Sequence, residues 1–112
     1  MLLKSEDLPS GIKLVHLIGR MDIAGAAAVD LQLSTIAGAN RAVIIDLTEV
    51  SFLASMGMRT LVLSAKTIAK KGGRVACFGA NEHVMRVLST SGVISFLPLV
   101  SDIETATAAV IP

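Results

Sequence analysis

Ser55 is the residue of this chain whose type and setting best suit chemistry. It follows Asp46-Leu47-Thr48-Glu49-Val50-Ser51-Phe52-Leu53-Ala54 and leads into Met56-Gly57-Met58-Arg59-Thr60. The segment reads as a buried strand, a short loop and then a serine at the mouth of an amphipathic helix. A hydroxyl at a helix start lies in a field that favours negative charge, so a phosphate could be attached there. The plainer reading of the same residue is an N-cap, whose oxygen accepts a backbone N–H for about 0.5–2 kcal/mol. Met56 lies off the apolar stripe of that helix, where it suits either an adaptable protein-binding surface or a half-buried loop.

Other chemistry is poorly supported. His16 falls on a strand and His83 at a helix start, and neither has a partner at metal-pair spacing. A Ser-His-Asp set meets in space and not in sequence, but there is no nucleophile-elbow pattern to support a hydrolase. Gly72-Gly73 and Gly79 do not make a phosphate-cradling loop. Cys77, the single cysteine, sits in the apolar run Val75-Ala76-Cys77-Phe78 and reads as a small buried hydrophobe. Neither a disulfide within the chain nor a multi-cysteine metal site can form.

Composition narrows the class further. A length of 112 residues suits one domain, residues 1–112, with one core. Hydrophobic residues make up 53% and there is no Trp or Tyr, so that core is aliphatic. A net charge of +1 is too balanced for a nucleic-acid footprint. The uncharged run from Val87 to Ser101 is broken by Gly92 and Pro98, and it falls short of the roughly 20 apolar residues of a spanning helix. Membrane insertion is not expected. The first residues include Glu6 and Asp7 where a signal peptide would be apolar, so a cytoplasmic protein is the default.

Positioning Ser55 requires a series of strands and helices. Leu2 to Ser5 and Ile12 to Ile18 read as strands, with Pro9-Ser10-Gly11 as a turn between them and Gly19 ending the second. A helix from Ile23 to Ala37 follows, capped by Asp22, with Ala26, Val29, Leu33 and Ile36 inward and Gly38-Ala39-Asn40 ending it. Ala42 to Ile45 is a central strand, with Asp46 closing its end. The helix from about Met56 to Lys70 buries Met58, Leu61, Val62, Ala65, Ile68 and Ala69. Lys70 and Lys71 complement its C-terminal dipole, and Gly72-Gly73 terminates it. Arg74 to Phe78 is a strand, Asn81 caps a helix carrying Val84, Val87 and Leu88, and Ile94 to Val100 is extended. Ser101-Asp102-Ile103-Glu104 has the capping-box pattern and opens a last helix. Alternating strands and helices of these lengths predict a small α/β sandwich with a mixed, mostly parallel sheet and about four helices.

This order carries a resemblance. Gly19-Arg20-Met21-Asp22, Val43-Ile44-Ile45-Asp46-Leu47, Phe52-Leu53-Ala54-Ser55-Met56-Gly57-Met58-Arg59 and Val84 to Val93 together resemble the STAS domain family. Within it, the chain is most similar to stand-alone bacterial anti-sigma factor antagonists, over nearly its whole length. The family signature is Asp-Ser-Ser/Thr-Gly-Leu at a helix start, and its phosphorylated serine falls on Ser55. Ala54 stands where that signature has Asp, and Met56 where a second hydroxyl is common. The family's partner-surface aspartate falls on Asp22.

The resemblance implies a switch and not an enzyme. Unmodified, such a protein binds an anti-sigma factor that is also a serine kinase, through a surface around Asp22, Ser55, Met56, Gly57 and Arg59. Phosphorylation of Ser55 then releases it, and a metal-dependent serine phosphatase resets the cycle. No cofactor is required of this chain; ATP and metal belong to its partners. The alternative within the family is a constitutive adaptor of a transport or signalling assembly, never phosphorylated, which the Ala54 departure keeps open.

Overall fold

Alternation through the first long apolar stretch sends Val15 and Leu17 to one side and Ile12 and Leu14 to the other, and all four are buried. A strand apolar on both sides needs cover on both. In the computed structural model, which describes residues 1–111, that strand is β2 (Lys13–Met21). Its sheet has the order β1-β2-β3-β4-β5, completed by β1 (Leu2–Asp7), β3 (Ala42–Leu53), β4 (Arg74–Phe78) and β5 (Leu99–Val100). β1 pairs with β2 antiparallel, and every later pair is parallel.

Helices α1 (Ile23–Ala39), α2 (Ser55–Lys70) and α3 (Glu82–Thr90) share one face with Val15, Leu17, Ile45 and Cys77. Helix α4 (Ile103–Val110) covers the other, setting Ala106 and Val110 against Leu14, Ile44 and Ala76. The mostly parallel α/β sandwich with four helices is therefore what these residues build.

Five local expectations need correction. β3 does not stop near Asp46; it runs on through Leu53, so the supposed loop is strand. The cause is visible in its inward residues, Val43, Ile45, Leu47, Val50 and Leu53. Period two is lost after Leu47 and again after Val50, where the pairing with β2 shifts register. Gly19 does not end β2 but lies at the second shift with φ of 116°, a backbone state open to glycine. Ile94 to Val100 is not continuously extended: a 3-10 turn at Val93–Ser95 precedes the two-residue β5. α4 is capped by Asp102, not Ser101, through a 2.8 Å bond accepted from the Thr105 N–H. In α2, Ala69 is exposed, while Gly57, Thr60 and Ser64 join the buried side. The Thr60 and Ser64 hydroxyls are satisfied by donating to the carbonyls of Met56 and Thr60.

The ends of β2 and β3 are where the helices come closest. The Ala54 N–H donates to the Met21 carbonyl at 3.0 Å. A Cβ on Gly57 would lie 2.6 Å from Met21 Cγ and 2.7 Å from the Met21 oxygen; on Gly25 it would lie 2.0 Å from the Arg20 oxygen. Gly57→Ala is expected to cost about 1–3 kcal/mol, by forcing the first turn of α2 off the sheet. A urea titration checks this, and an unchanged midpoint would contradict the close approach.

Candidate functional site

Two parallel strands end side by side at Met21 and Leu53, and each leads straight into a helix. Crevices at the carboxyl ends of such strands are the usual ligand positions in open α/β sheets. Asp22 caps α1 as expected, its Oδ1 accepting the Gly25 N–H at 2.8 Å. That bond, helped by Arg20 with its Nε 3.7 Å away, holds the Asp22 carboxyl below the usual carboxylate range.

Ser55 begins α2 but does not cap it. The N-cap is Ala54, with φ −98° and ψ 170°, and no side chain completes the cap. A serine one residue inside the helix cannot turn its oxygen onto the amides that an N-cap reaches. The first intrahelical bond runs from the Met58 N–H to the Ala54 carbonyl. Among the described residues, no hydrogen bond engages the Ser55 hydroxyl or the amides of Ser55, Met56 and Gly57. The hydroxyl is exposed and unspent, and the amides of Ser55, Met56 and Gly57 have no partner among the described residues. These features suit a covalently attached anion.

The other expected site residues divide. Met56 and Arg59 are exposed in the first turns of α2 with Ser55, and Asp22 is half-buried at the start of α1. Gly57 is buried against Met21 and Leu53, and its part in any docking face is to bring α2 close rather than to touch a partner. Met58 packs toward the core. Cys77 is fully buried, which pushes its thiol far up and makes it inert.

Both histidines have partners that residue spacing did not reveal. His16 Nδ1 lies 2.7 Å from Asp46 Oδ2 and Nε2 lies 3.1 Å from Glu6 Oε2. Ionised carboxylates only accept, so both ring nitrogens donate and the imidazolium is the form that fits. Burial opposes this charge, but the bonds to Asp46 and Glu6 outweigh it and the His16 pKa is raised. Asp46 is mid-strand rather than a strand end. Burial raises its pKa, yet bonds from the Thr48 hydroxyl and amide and from His16 leave it lowered. His83 stacks on Phe52 at 5.2 Å, and the Arg20 guanidinium sits 4.4 Å from the same ring. The register pair His16↔Asp46 follows only from the β2–β3 pairing, which a reading of the chain alone did not supply. No group of His, Cys, Asp and Glu among the described residues could hold a metal ion. No helix there is long and apolar enough to cross a membrane.

Residues 7–106 match the STAS domain family. BtrV of Bordetella bronchiseptica, described as an anti-sigma factor antagonist, is 28% identical over 104 residues, covering 92% of this chain and 90% of its own. The crystal structure of an anti-sigma factor antagonist from Mycobacterium paratuberculosis superposes with a TM-score of 0.87 at 24% identity, covering 97% of this chain and 92% of that one. The Bacillus cell fate determinant SpoIIAA in its phosphorylated form is similar at a TM-score of 0.73 and 17% identity, covering 96% and 98%.

Ala54→Asp is expected to add the missing cap and stabilise the fold by about 0.5–2 kcal/mol, read as a higher urea midpoint. A lower midpoint would mean that position 54 lacks cap geometry. By NMR titration, His16 should lose its proton above the ordinary value of about 6.5. With its folded pKa raised, the stabilisation is complete below the ordinary value and lost as pH rises through the raised one. Asp46, with its pKa lowered, contributes above the ordinary carboxylate value and loses this only as pH falls through the depressed one. His16→Gln should flatten the alkaline part of the stability profile; an unaltered profile would contradict the clasp.

Proposed function

This chain belongs to the STAS domain family, and we propose that it is an anti-sigma factor antagonist that works by partner switching. In its unmodified form it binds an anti-sigma factor that is also a serine kinase, and so frees whatever that factor holds. The kinase transfers the ATP γ-phosphate to the Ser55 oxygen, which loses its proton as the new O–P bond forms and ADP leaves. A metal-dependent serine phosphatase hydrolyses that ester and restores the hydroxyl. The observation that carries this reading is the exposed, uncommitted Ser55 hydroxyl at the uncapped start of α2. Its likeness in fold to a protein solved in both phosphorylated and unphosphorylated forms adds support.

Charge supplies the mechanism. A phosphate brings about −1.5 to −2 charges, and the free amides at the start of α2 can hold it without any change of fold. A face that packed against a partner around Asp22, Met56 and Arg59 then carries a hydrated dianion. Burying that dianion without new cations opposite is costly. A loss of about 2.8 kcal/mol weakens binding roughly 100-fold, enough to exchange partners present at similar levels.

Ser55→Ala should keep full affinity for the anti-sigma factor, whereas Ser55→Glu should bind roughly 10- to 100-fold more weakly. Titration calorimetry measures both. Mass spectrometry after incubation with the kinase and ATP should find one phosphate, on Ser55. Equal binding by the two variants, together with no modification of Ser55, would refute the switch.

A further inference from the structure

The first half of helix α1 is apolar on its solvent side as well as its inner one: Ile23, Ala24, Ala27, Ala28 and Leu31 are exposed there, Asp30 is the one charged residue, and the polar Gln32, Ser34 and Thr35 follow only in the second half. A helix of that composition is normally covered on every side. Between α1 and α2 runs a groove of about 540 Å³ whose lining includes Met56, the residue after Ser55. Its α1 wall presents Ile23, Ala27 and Asp30, and its α2 wall Met56, Arg59 and Leu63. Each wall spans eight residues, a rise of about 10 Å, or two helical turns. Ala26 and Thr60 floor it, small enough for a close approach. Ile23 is 70% exposed, Leu63 51% and Met56 45%, so three large apolar side chains stand open along one furrow. Separate exposed leucines are ordinary, but a contiguous apolar furrow marks an interaction site.

We propose that this α1–α2 groove receives a single amphipathic helix of the partner, two turns long, with an apolar ridge at i, i+4 and i+7. Charge sets its chemistry. Asp30 and Arg59 stand on opposite walls, and neither forms an ion pair within 4.0 Å among the described residues. The occupant therefore carries an acidic residue toward Arg59 and a basic one toward Asp30, which fixes its rotation in the groove. A second copy of this chain fits poorly, because two concave faces brought together leave a void and no ridge to fill it. Met56 lines the groove and directly follows Ser55, so a phosphate on Ser55 would lie close to one end of the docked helix. The inference rests on the partner reading above and names the element that the switch displaces.

The test titrates the full chain with its anti-sigma factor by calorimetry. Leu63→Glu, two turns from Ser55, should weaken binding at least 30-fold with an unchanged circular dichroism spectrum, while Leu63→Met should restore it. Asp30→Lys should weaken it several-fold. If both charged variants bind like the parent while Ser55→Glu does not, the groove proposal is overturned and the Ser55 switch stands. If the parent binds no anti-sigma factor, the partner reading fails by itself, and a stapled amphipathic peptide with that ridge and charge pattern decides the groove. Amide shifts confined to residues near Ile23, Ala27 and Leu63 would support it; shifts elsewhere, or none, would overturn it. A dimer in sedimentation that Leu63→Glu dissolves would identify the occupant as a second copy and overturn it as well.

Discussion

The bond from the Ala54 N–H to the Met21 carbonyl is the constraint on which the site depends. It ties the end of β3 to the end of β2 one residue before the serine. Gly57, with no room for a Cβ over Met21, then lets the first turn of α2 settle directly on that junction. Gly25 does the same for α1 over the Arg20 carbonyl. Two helix starts are thus held at the paired ends of β2 and β3, although 33 positions separate Asp22 from Ser55 in the chain.

The two helix starts are finished differently, and the difference is chemical. Asp22 closes α1 with its own carboxylate, so that terminus already holds a negative charge. Ala54 cannot do this for α2, and the amides at its start stay without a side-chain partner. A terminus lacking its own anion has the greater attraction for one added later. In the family signature an Asp stands at this place, so its replacement by Ala54 does not remove the basis for a phosphate at Ser55. It leaves the amide field of α2 unneutralised.

At the opposite pole the charges are committed. Lys71 donates through Nζ to the Ala37 and Asn40 carbonyls at the end of α1, and Arg41 donates to the Lys71 carbonyl at 2.8 Å. Lys71 is expected to serve the end of its own helix, α2, but its ammonium satisfies carbonyls at the end of α1, and Arg41 serves the end of α2 in its place. In the middle of the sheet, Asp46 joins His16 to the Thr48 turn of chain beside the first register shift in β3. That shift, with the second near Ser51, sets how far β3 travels before Ser55. The polar clasp and Ser55 are therefore linked through strand length alone.

Periodicity and capping chemistry determined much of this molecule without any coordinates. Apolar alternation in β2, the continuous apolar run of β4, the helical stripe of α2, the caps Asp22 and Asn81, and the order of strands and helices all follow from local rules. Such features are legible because each depends on residues within one or two turns of the chain. The long β3 was not, since its inward set Val43, Ile45, Leu47, Val50 and Leu53 breaks period two at bulges that exist only against β2. Nor was the shift of the cap from Ser55 to Ala54, because the Met21 carbonyl, remote in sequence, decides where the strand ends and the helix begins. The pairing of His16 with Asp46 and Glu6 likewise arises from strand register. Local sequence chose the elements and put a hydroxyl near a helix start; only long-range packing left that hydroxyl exposed and unbonded, because contacts between distant segments alone decide which polar groups are already spent.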